Sequence, residues 1–170
     1  MSLIEDFILP QLKFISYFGE SIFYLLPIAL LVSLGFFKTK HRTEGALILV
    51  SLLSYFYSII LKFIFQVQRP PTASYTDFIN QYSFPSSHVV VYTAFFGYLI
   101  FLTLFLKRFD KLLRFVILIL SLYFLSFVGI SRVVLGEHWP TDVLWGYLFG
   151  AVYLGILIVL HKNSVPKDKN

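Results

Sequence analysis

Five long apolar runs constrain the fold more than any other feature of the sequence. Each is close to the roughly 20 helical residues that cross a hydrocarbon core about 30 Å thick. Of the 170 residues 58% are hydrophobic, and a soluble domain of this size could not cover so much apolar surface. We therefore predict an all-α, polytopic membrane helix bundle that forms a single domain over 1–170. The predicted spans lie near 21–37, 45–66, 88–106, 113–131 and 141–160.

The N-terminal stretch 3–18 differs from these runs because charged residues and a proline interrupt it. Glu5, Asp6 and Lys13 lie among spaced Leu, Ile and Phe residues, a pattern that favours an amphipathic helix in the membrane interface. A sixth, distorted span is the alternative. The stretch lacks a basic leader and a small-residue cleavage site, so we expect no cleavable signal peptide. The predicted architecture is five spans plus an N-terminal interfacial helix over 1–20, or six helices.

The basic residues predict the orientation of the chain in the membrane. Ten of the fourteen lie in the connections 38–44 and 107–114 and in the C-terminal tail 161–170, which fall on one side of a five-span protein. The positive-inside rule makes that side, including the C-terminus, cytoplasmic. This placement also accounts for the net charge of +5, so we predict no nucleic-acid binding.

Six ionisable residues lie at the ends of spans on the opposite membrane face. Taken singly, each has a structural explanation, such as a snorkelling lysine, an arginine bound to lipid phosphates or a carboxylate at a helix N-terminus. Four helix ends that bring such groups to one face indicate a functional site, because charges at the membrane edge are costly. The six residues are Lys62, Arg69, His88, Arg132, His138 and Asp142.

The chemistry of this set matches the binding and transfer of a phosphate. Arginine and lysine bind phosphate oxygens, and the start of the third span, near Ser86 and Ser87, adds free backbone N–H groups. Two histidines supply a nucleophile and a proton donor for the leaving oxygen. Asp142 follows His138 by four residues, so its carboxylate can hold one ring nitrogen and leave the other free to attack.

Three segments of the sequence resemble the motifs of a known family. "KFIFQVQRP" at 62–70 matches the pattern KxxxxxxRP, "PSSH" at 85–88 is close to PSGH, and "SRVVLGEHWPTD" at 131–142 matches SRxxxxxHxxxD. In this order and between these spans, the motifs resemble those of the type 2 phosphatidic acid phosphatases, a family of membrane lipid phosphatases. Ser87 stands where the family usually has glycine, and we expect this to affect the fine geometry of the turn.

The resemblance implies a role for each matching residue. His138 attacks phosphorus and forms a phosphohistidine, Asp142 orients His138, and His88 protonates the leaving lipid oxygen and then activates water. The family needs no metal or other cofactor. The remaining residues are implied to bind the phosphate and its developing charge; they are Lys62, Arg69, Arg132, Ser86 and Ser87.

The sequence says less about which lipid is the substrate. The loop 71–84 is too short to form a headgroup-binding domain, and its aromatic residues either gate the site or anchor the loop at the interface; they are Tyr75, Phe78, Tyr82 and Phe84. An open site admits undecaprenyl diphosphate, the lipid A phosphate, phosphatidylglycerophosphate or phosphatidic acid, with a slight preference for the bulky diphosphate or lipid A. These lipids suggest the outer face of a bacterial inner membrane. The oligomeric state stays open.

Three other interpretations compete with the phosphatase. A non-catalytic relative that binds lipid phosphate is supported by Ser87 alone, since every implied catalytic side chain is present. An anion channel needs charges deep in several spans, but the runs 21–37 and 88–106 contain none. A bis-histidine haem or metal protein is disfavoured because His88 and His138 lie beside three cations.

Overall fold

A computed structural model describes residues 7–20, 22–74, 81–106 and 110–164. Within these ranges the regular secondary structure is helical, apart from one isolated β-bridge between Gln68 and Tyr82. The predicted all-α bundle is therefore confirmed. The helices are α1 (Leu9–Glu20), α2 (Ile22–Phe37), α3 (Arg42–Leu52), α4 (Ser54–Phe65), α5 (Ser87–Phe105), α6 (Lys111–Val134) and α7 (Pro140–Ser164).

Four helical stretches in the described part of the chain are long and apolar enough to cross a membrane. They correspond to four of the predicted spans and are Arg42–Phe65, Ser87–Phe105, Lys111–Val134 and Pro140–Ser164. The fifth predicted span, 21–37, is represented by α2, which has only 16 residues. A helix of that length extends about 24 Å. Residue 21, where this predicted span begins, lies outside the described residues, so whether the segment crosses the membrane stays a prediction.

The first of these stretches is interrupted at Leu53, which separates α3 from α4. Two serines beside the interruption turn back onto the main chain. The Ser51 hydroxyl donates to the Ile48 carbonyl at 2.6 Å, and the Ser54 hydroxyl donates to the Ser51 carbonyl at 2.6 Å. Such bonds compete with the helical ladder and often bend a helix, so the sequence itself accounts for the break.

α5 is the central helix, because it packs against α1, α3, α4, α6 and α7. Its sequence is apolar all round, as expected for a fully surrounded helix. Small residues let α7 approach it closely: a Cβ added at Gly150 would lie 2.6 Å from the Cβ of Thr93. The outward faces of α6 and α7 expose large apolar side chains, including Leu112, Phe115 and Leu144, as expected for contact with lipid.

Both ends of the chain differ in detail from the sequence-based expectation. α1 packs mainly against α6 and also against α2 and α5; whether it lies at the membrane interface stays a prediction. α7 continues to Ser164, into the segment 161–170 that was predicted to be the tail. Its end is held because His161 is fully buried and its Nδ1 lies 3.0 Å from the Tyr98 hydroxyl. Residues 165–170 lie outside the described part.

Candidate active site

Lys62 joins the end of α4 to the segment that leads into α5. It lies in the last turn of α4 and is 1% exposed. Its Nζ donates to the carbonyl oxygens of Tyr82 at 2.7 Å and Ser83 at 3.2 Å. Ser83 is held in turn, because its N–H donates to the Val67 carbonyl at 2.8 Å. These two neutral acceptors help to fix Lys62 without cancelling its positive charge.

The N-terminus of α5 presents three buried polar atoms in consecutive residues. These are Ser86 Oγ, Ser87 Oγ and His88 Nε2, and none of them has a hydrogen-bond partner within the described ranges. Ser86 is the N-cap residue, yet its side chain does not cap the helix. The N–H groups of the first helical turn also lack acceptors within the helix. Buried polar groups normally have partners, so this helix start is suited to binding an anion.

The serine at position 87 requires no strained backbone. Ser87 is the first residue of α5. Among the residues that the structure describes, the non-glycine residue with positive φ is Gln66, at 51°. Glycine, which the family usually has at this position, can adopt a positive φ that serine adopts less readily. The helical Ser87 does not need such a φ; any other effect on the fine geometry of the turn stays a prediction.

His138 and Asp142 form a buried pair at the start of α7. The His138 Nδ1 lies 3.4 Å from the Asp142 Oδ2, and the two side chains are 2% and 1% exposed. The same Oδ2 accepts a hydrogen bond of 2.9 Å from the Trp139 N–H, which fixes the carboxylate. The Asp142 carbonyl accepts a hydrogen bond of 3.1 Å from the Ser86 N–H, so the pair is tied to the start of α5.

The surroundings of His138 keep its ring neutral. Burial is the largest cause that lowers the pKa of His138 well below its usual value, followed by the positive charges of Lys62, Arg132 and Arg69. His88 lowers the pKa of the same ring further. A neutral imidazole has a free lone pair and can act as a nucleophile near neutral pH. The same interactions show that the structure brings the predicted residues from four helix ends together.

Glu137 organises the two arginines, and sequence reasoning missed it. Arg69 Nη1 donates to the Glu137 carbonyl at 2.9 Å, and Arg132 Nη2 lies 3.8 Å from its carboxylate. Ser74 donates to that carboxylate through its N–H at 3.4 Å and also through its hydroxyl. The available signal was an acidic residue inside the third motif, five residues after Arg132 and directly before His138.

Part of the predicted aromatic loop can be placed beside the site. Phe84 packs against Phe65, with ring centroids 4.9 Å apart, and against Trp145 and Phe149 at 6.2 and 6.1 Å. Tyr82 packs against a phenylalanine of α4. The predicted gating residues Tyr75 and Phe78 lie outside the described residues.

Comparison with known proteins identifies a family, a relative in sequence and a solved structure with a similar fold. The sequence profile of the PAP2 superfamily matches residues 44–166. Phosphatidylglycerophosphatase B of Bacillus subtilis (strain 168) is 30% identical over 141 residues, which are 80% of this chain and 66% of that protein. The chain therefore spans slightly less than two thirds of that relative.

A solved structure shares the arrangement of the helices. The crystal structure of a transmembrane PAP2-type phosphatidylglycerolphosphate phosphatase from Bacillus subtilis superposes with a TM-score of 0.78. It covers 95% of this chain and 80% of its own, at 24% sequence identity. The fold is thus shared. In this chain the three motifs lie at or beside the ends of helices. The chain is a multi-span membrane protein that belongs to the PAP2 superfamily.

Proposed function

We propose that this protein is a metal-independent lipid phosphatase that works through a phosphohistidine intermediate at the outer face of the membrane. The observation that carries the proposal is the pairing of two features. One is the row of buried polar atoms at Ser86, Ser87 and His88. The other is the neutral, buried His138 held against Asp142. A phosphate bound at the start of α5 would be the partner of those polar atoms and would lie against the nucleophilic ring of His138.

Binding of the phosphate rests on cations held in fixed positions. Lys62 contributes a point charge, and Arg69 and Arg132 contribute planar guanidinium groups. All three are close enough to His138 for their charges to lower its pKa, which supports a phosphate position beside that ring. Charge that develops on the phosphoryl oxygens in the transition state is stabilised by donors that are already in place.

In the first step the free ring nitrogen of His138 attacks phosphorus. The N–P bond forms as the bond between phosphorus and the lipid oxygen breaks. His88, protonated when the anionic phosphate is bound beside it, gives its proton to that oxygen. Asp142 holds the Nδ1–H of His138 and stabilises the positive ring of the intermediate. In the second step neutral His88 takes a proton from water, whose oxygen attacks phosphorus. Phosphate leaves, and His138 is restored.

The substrate class follows from the location of the site. Its charged groups lie at the ends of apolar helices, where an amphiphilic lipid presents its headgroup while its chains stay in the bilayer. Phosphatidylglycerophosphate is the first candidate, because the similar Bacillus protein is named as a phosphatase of that lipid. Undecaprenyl diphosphate, the lipid A phosphate and phosphatidic acid are the others. We place the site on the extracytoplasmic side of a bacterial inner membrane, with the C-terminus in the cytoplasm.

The decisive experiment measures phosphate release by the detergent-purified protein from each of these four lipids, with EDTA present. We expect release by the wild type and none by His138→Ala. His41→Asn is the control for removing a buried histidine away from the site: His41 precedes α3 at the other end of the bundle, where its Nδ1 lies 2.8 Å from the Glu44 carboxylate. The asparagine amide can still donate to that carboxylate. Acid-labile, base-stable labelling of the enzyme by a lipid with a radioactive phosphate would identify the phosphohistidine. Lipid binding without release would instead favour a non-catalytic relative.

The orientation has a separate test. The sequence contains no cysteine, so Lys162→Cys introduces a unique thiol near the end of α7. We expect an impermeant thiol reagent to leave this cysteine unlabelled in intact cells and to label it after lysis. Labelling in intact cells would reverse the proposed topology.

A further inference from the structure

We propose that Ser16 of α1 is a positioning residue that orients both Arg132 and His88 for phosphoryl transfer. The inference rests on the proposed function and extends it to a helix outside the three motifs. The superfamily profile begins at residue 44, so it does not include α1. Ser16 is 6% exposed and lies where α1 packs against α6 and α5.

The first contact is with the guanidinium of Arg132. Arg132 Nη1 donates a hydrogen bond to the Ser16 hydroxyl oxygen, and the arginine itself is 2% exposed. A guanidinium is a rigid, planar fork of donors. Fixing one of its N–H groups therefore sets the plane in which the others point. Glu137, 3.8 Å from Nη2, supports the same side chain from another direction, so that the arginine is held between α1 and the loop before α7.

The second contact is with the ring of His88. The backbone of Ser16 lies within hydrogen-bonding reach of this ring, while His88 Nε2 is a buried atom without a partner in the described part of the chain. The bond to Ser16 must therefore involve Nδ1, which donates to the carbonyl oxygen. That arrangement leaves Nε2, the nitrogen that gains and loses the proton in the mechanism, facing the phosphate site.

A neighbouring contact fixes the register of α1 against α5. Tyr92 lies one helical turn after His88, is fully buried and donates from its hydroxyl to the Ile15 carbonyl at 2.9 Å. Two consecutive carbonyls of α1 are thus held by two side chains of α5 that lie one turn apart. α1 is therefore part of the wall of the site. The Ser16 hydroxyl then has one defined position relative to Arg132.

The experiment measures the affinity of the purified protein for orthovanadate, an oxyanion that mimics phosphate during transfer, by its protection against thermal unfolding. We expect Ser16→Ala to weaken binding roughly 10-fold or more, because a hydrogen bond to a charged group is lost. Ser16→Thr keeps the hydroxyl and should stay within about 3-fold of the wild type. Tyr17→Phe removes a hydroxyl from the exposed side of the same helix and should change nothing.

Two further measurements separate positioning from structural support. In free energy, the effect of Ser16→Ala on vanadate affinity should exceed its effect on unfolding stability without vanadate. The effect on affinity should disappear in an Arg132→Lys background, which lacks the fork. An equal effect in both backgrounds, a matching loss of stability, or a wild type that does not bind vanadate would each overturn the inference. Vanadate binding that depends on Ser16, in a wild type that releases no phosphate from any lipid, would support the inference and overturn the proposed function alone.

Discussion

The pair formed by His138 and Asp142 gives the sharpest quantitative prediction. Asp142→Asn preserves the size of the side chain and its hydrogen bond from the Trp139 N–H, but removes the negative charge 3.4 Å from His138 Nδ1. At that distance, and at an effective dielectric constant near 20, two unit charges interact by about 5 kcal/mol. The dipole of the amide recovers about 1 kcal/mol. We therefore expect phosphorylation of His138 to slow roughly 10²- to 10³-fold.

The assay is rapid-quench measurement of phosphoenzyme formation from the best lipid of the substrate panel. Asp110→Asn is the matched control, because Asp110 also stands at a helix N-terminus, where its side chain accepts from the Leu113 N–H at 2.8 Å. It should retain the wild-type rate, since asparagine caps helices as well as aspartate does. An Asp142→Asn enzyme that keeps a third or more of the wild-type rate would refute the role of the carboxylate in charging and orienting His138.

Three more outcomes follow from the same structure. The rate of phosphoenzyme formation should fall in acid only well below pH 6.5. The reason is that burial lowers the pKa of His138, so that its ring stays neutral as the pH falls. An acid limb centred above pH 6.5 would contradict this. Lys62→Met keeps the apolar stem but removes the ammonium, so kcat/KM should fall roughly 10- to 100-fold, as steady-state assays will show. Gly150→Ala places a Cβ 2.6 Å from Thr93 and should lower unfolding stability in detergent by about 1–3 kcal/mol, whereas Gly155→Ala, with no atom within 4 Å, should not.

The sequence was sufficient to select those candidate site residues whose charge is unusual for their position. Lys62, Arg132 and His138 stand out because they interrupt or border apolar runs, where an ionisable group carries a cost that needs a reason. Their spacing then restricted which helix ends had to meet. The structure brings these ends together, and the positive charges of Lys62 and Arg132 act on the His138 ring.

The supporting contacts could not be predicted, because they use backbone atoms or ordinary residues. Lys62 is held by the carbonyl oxygens of Tyr82 and Ser83, and a carbonyl is present at every position of a sequence. Ser16 precedes Arg132 by 116 residues, and a serine in an amphipathic stretch carries no signature of a partner. Such contacts depend on how helices pack, which the pattern of a single helix does not determine.

The N-terminal helix shows why amphipathicity alone does not identify a partner. The pattern predicted one apolar face, and Leu12 and Ile15 are indeed buried, at 3% and 0% exposure, whereas Phe14 is 54% exposed. A hydrocarbon environment and a neighbouring helix both satisfy an apolar face. The choice between them depends on polar groups, and here the Ile15 carbonyl accepts from Tyr92 of α5.

The way in which the site buries positive charge connects stability to catalysis. An isolated cation in an apolar bundle is strongly unfavourable, and a carboxylate in direct contact would neutralise the charge that a phosphate needs. For Lys62, the carbonyl dipoles of Tyr82 and Ser83 help to solvate the ammonium without cancelling its charge. Arg132 donates to a serine hydroxyl and also forms a long ion pair of 3.8 Å with the Glu137 carboxylate, which offsets its charge only in part. The positive potential that remains can therefore stabilise the phosphoryl group. This stabilisation matters most in the transition state, where negative charge accumulates during transfer.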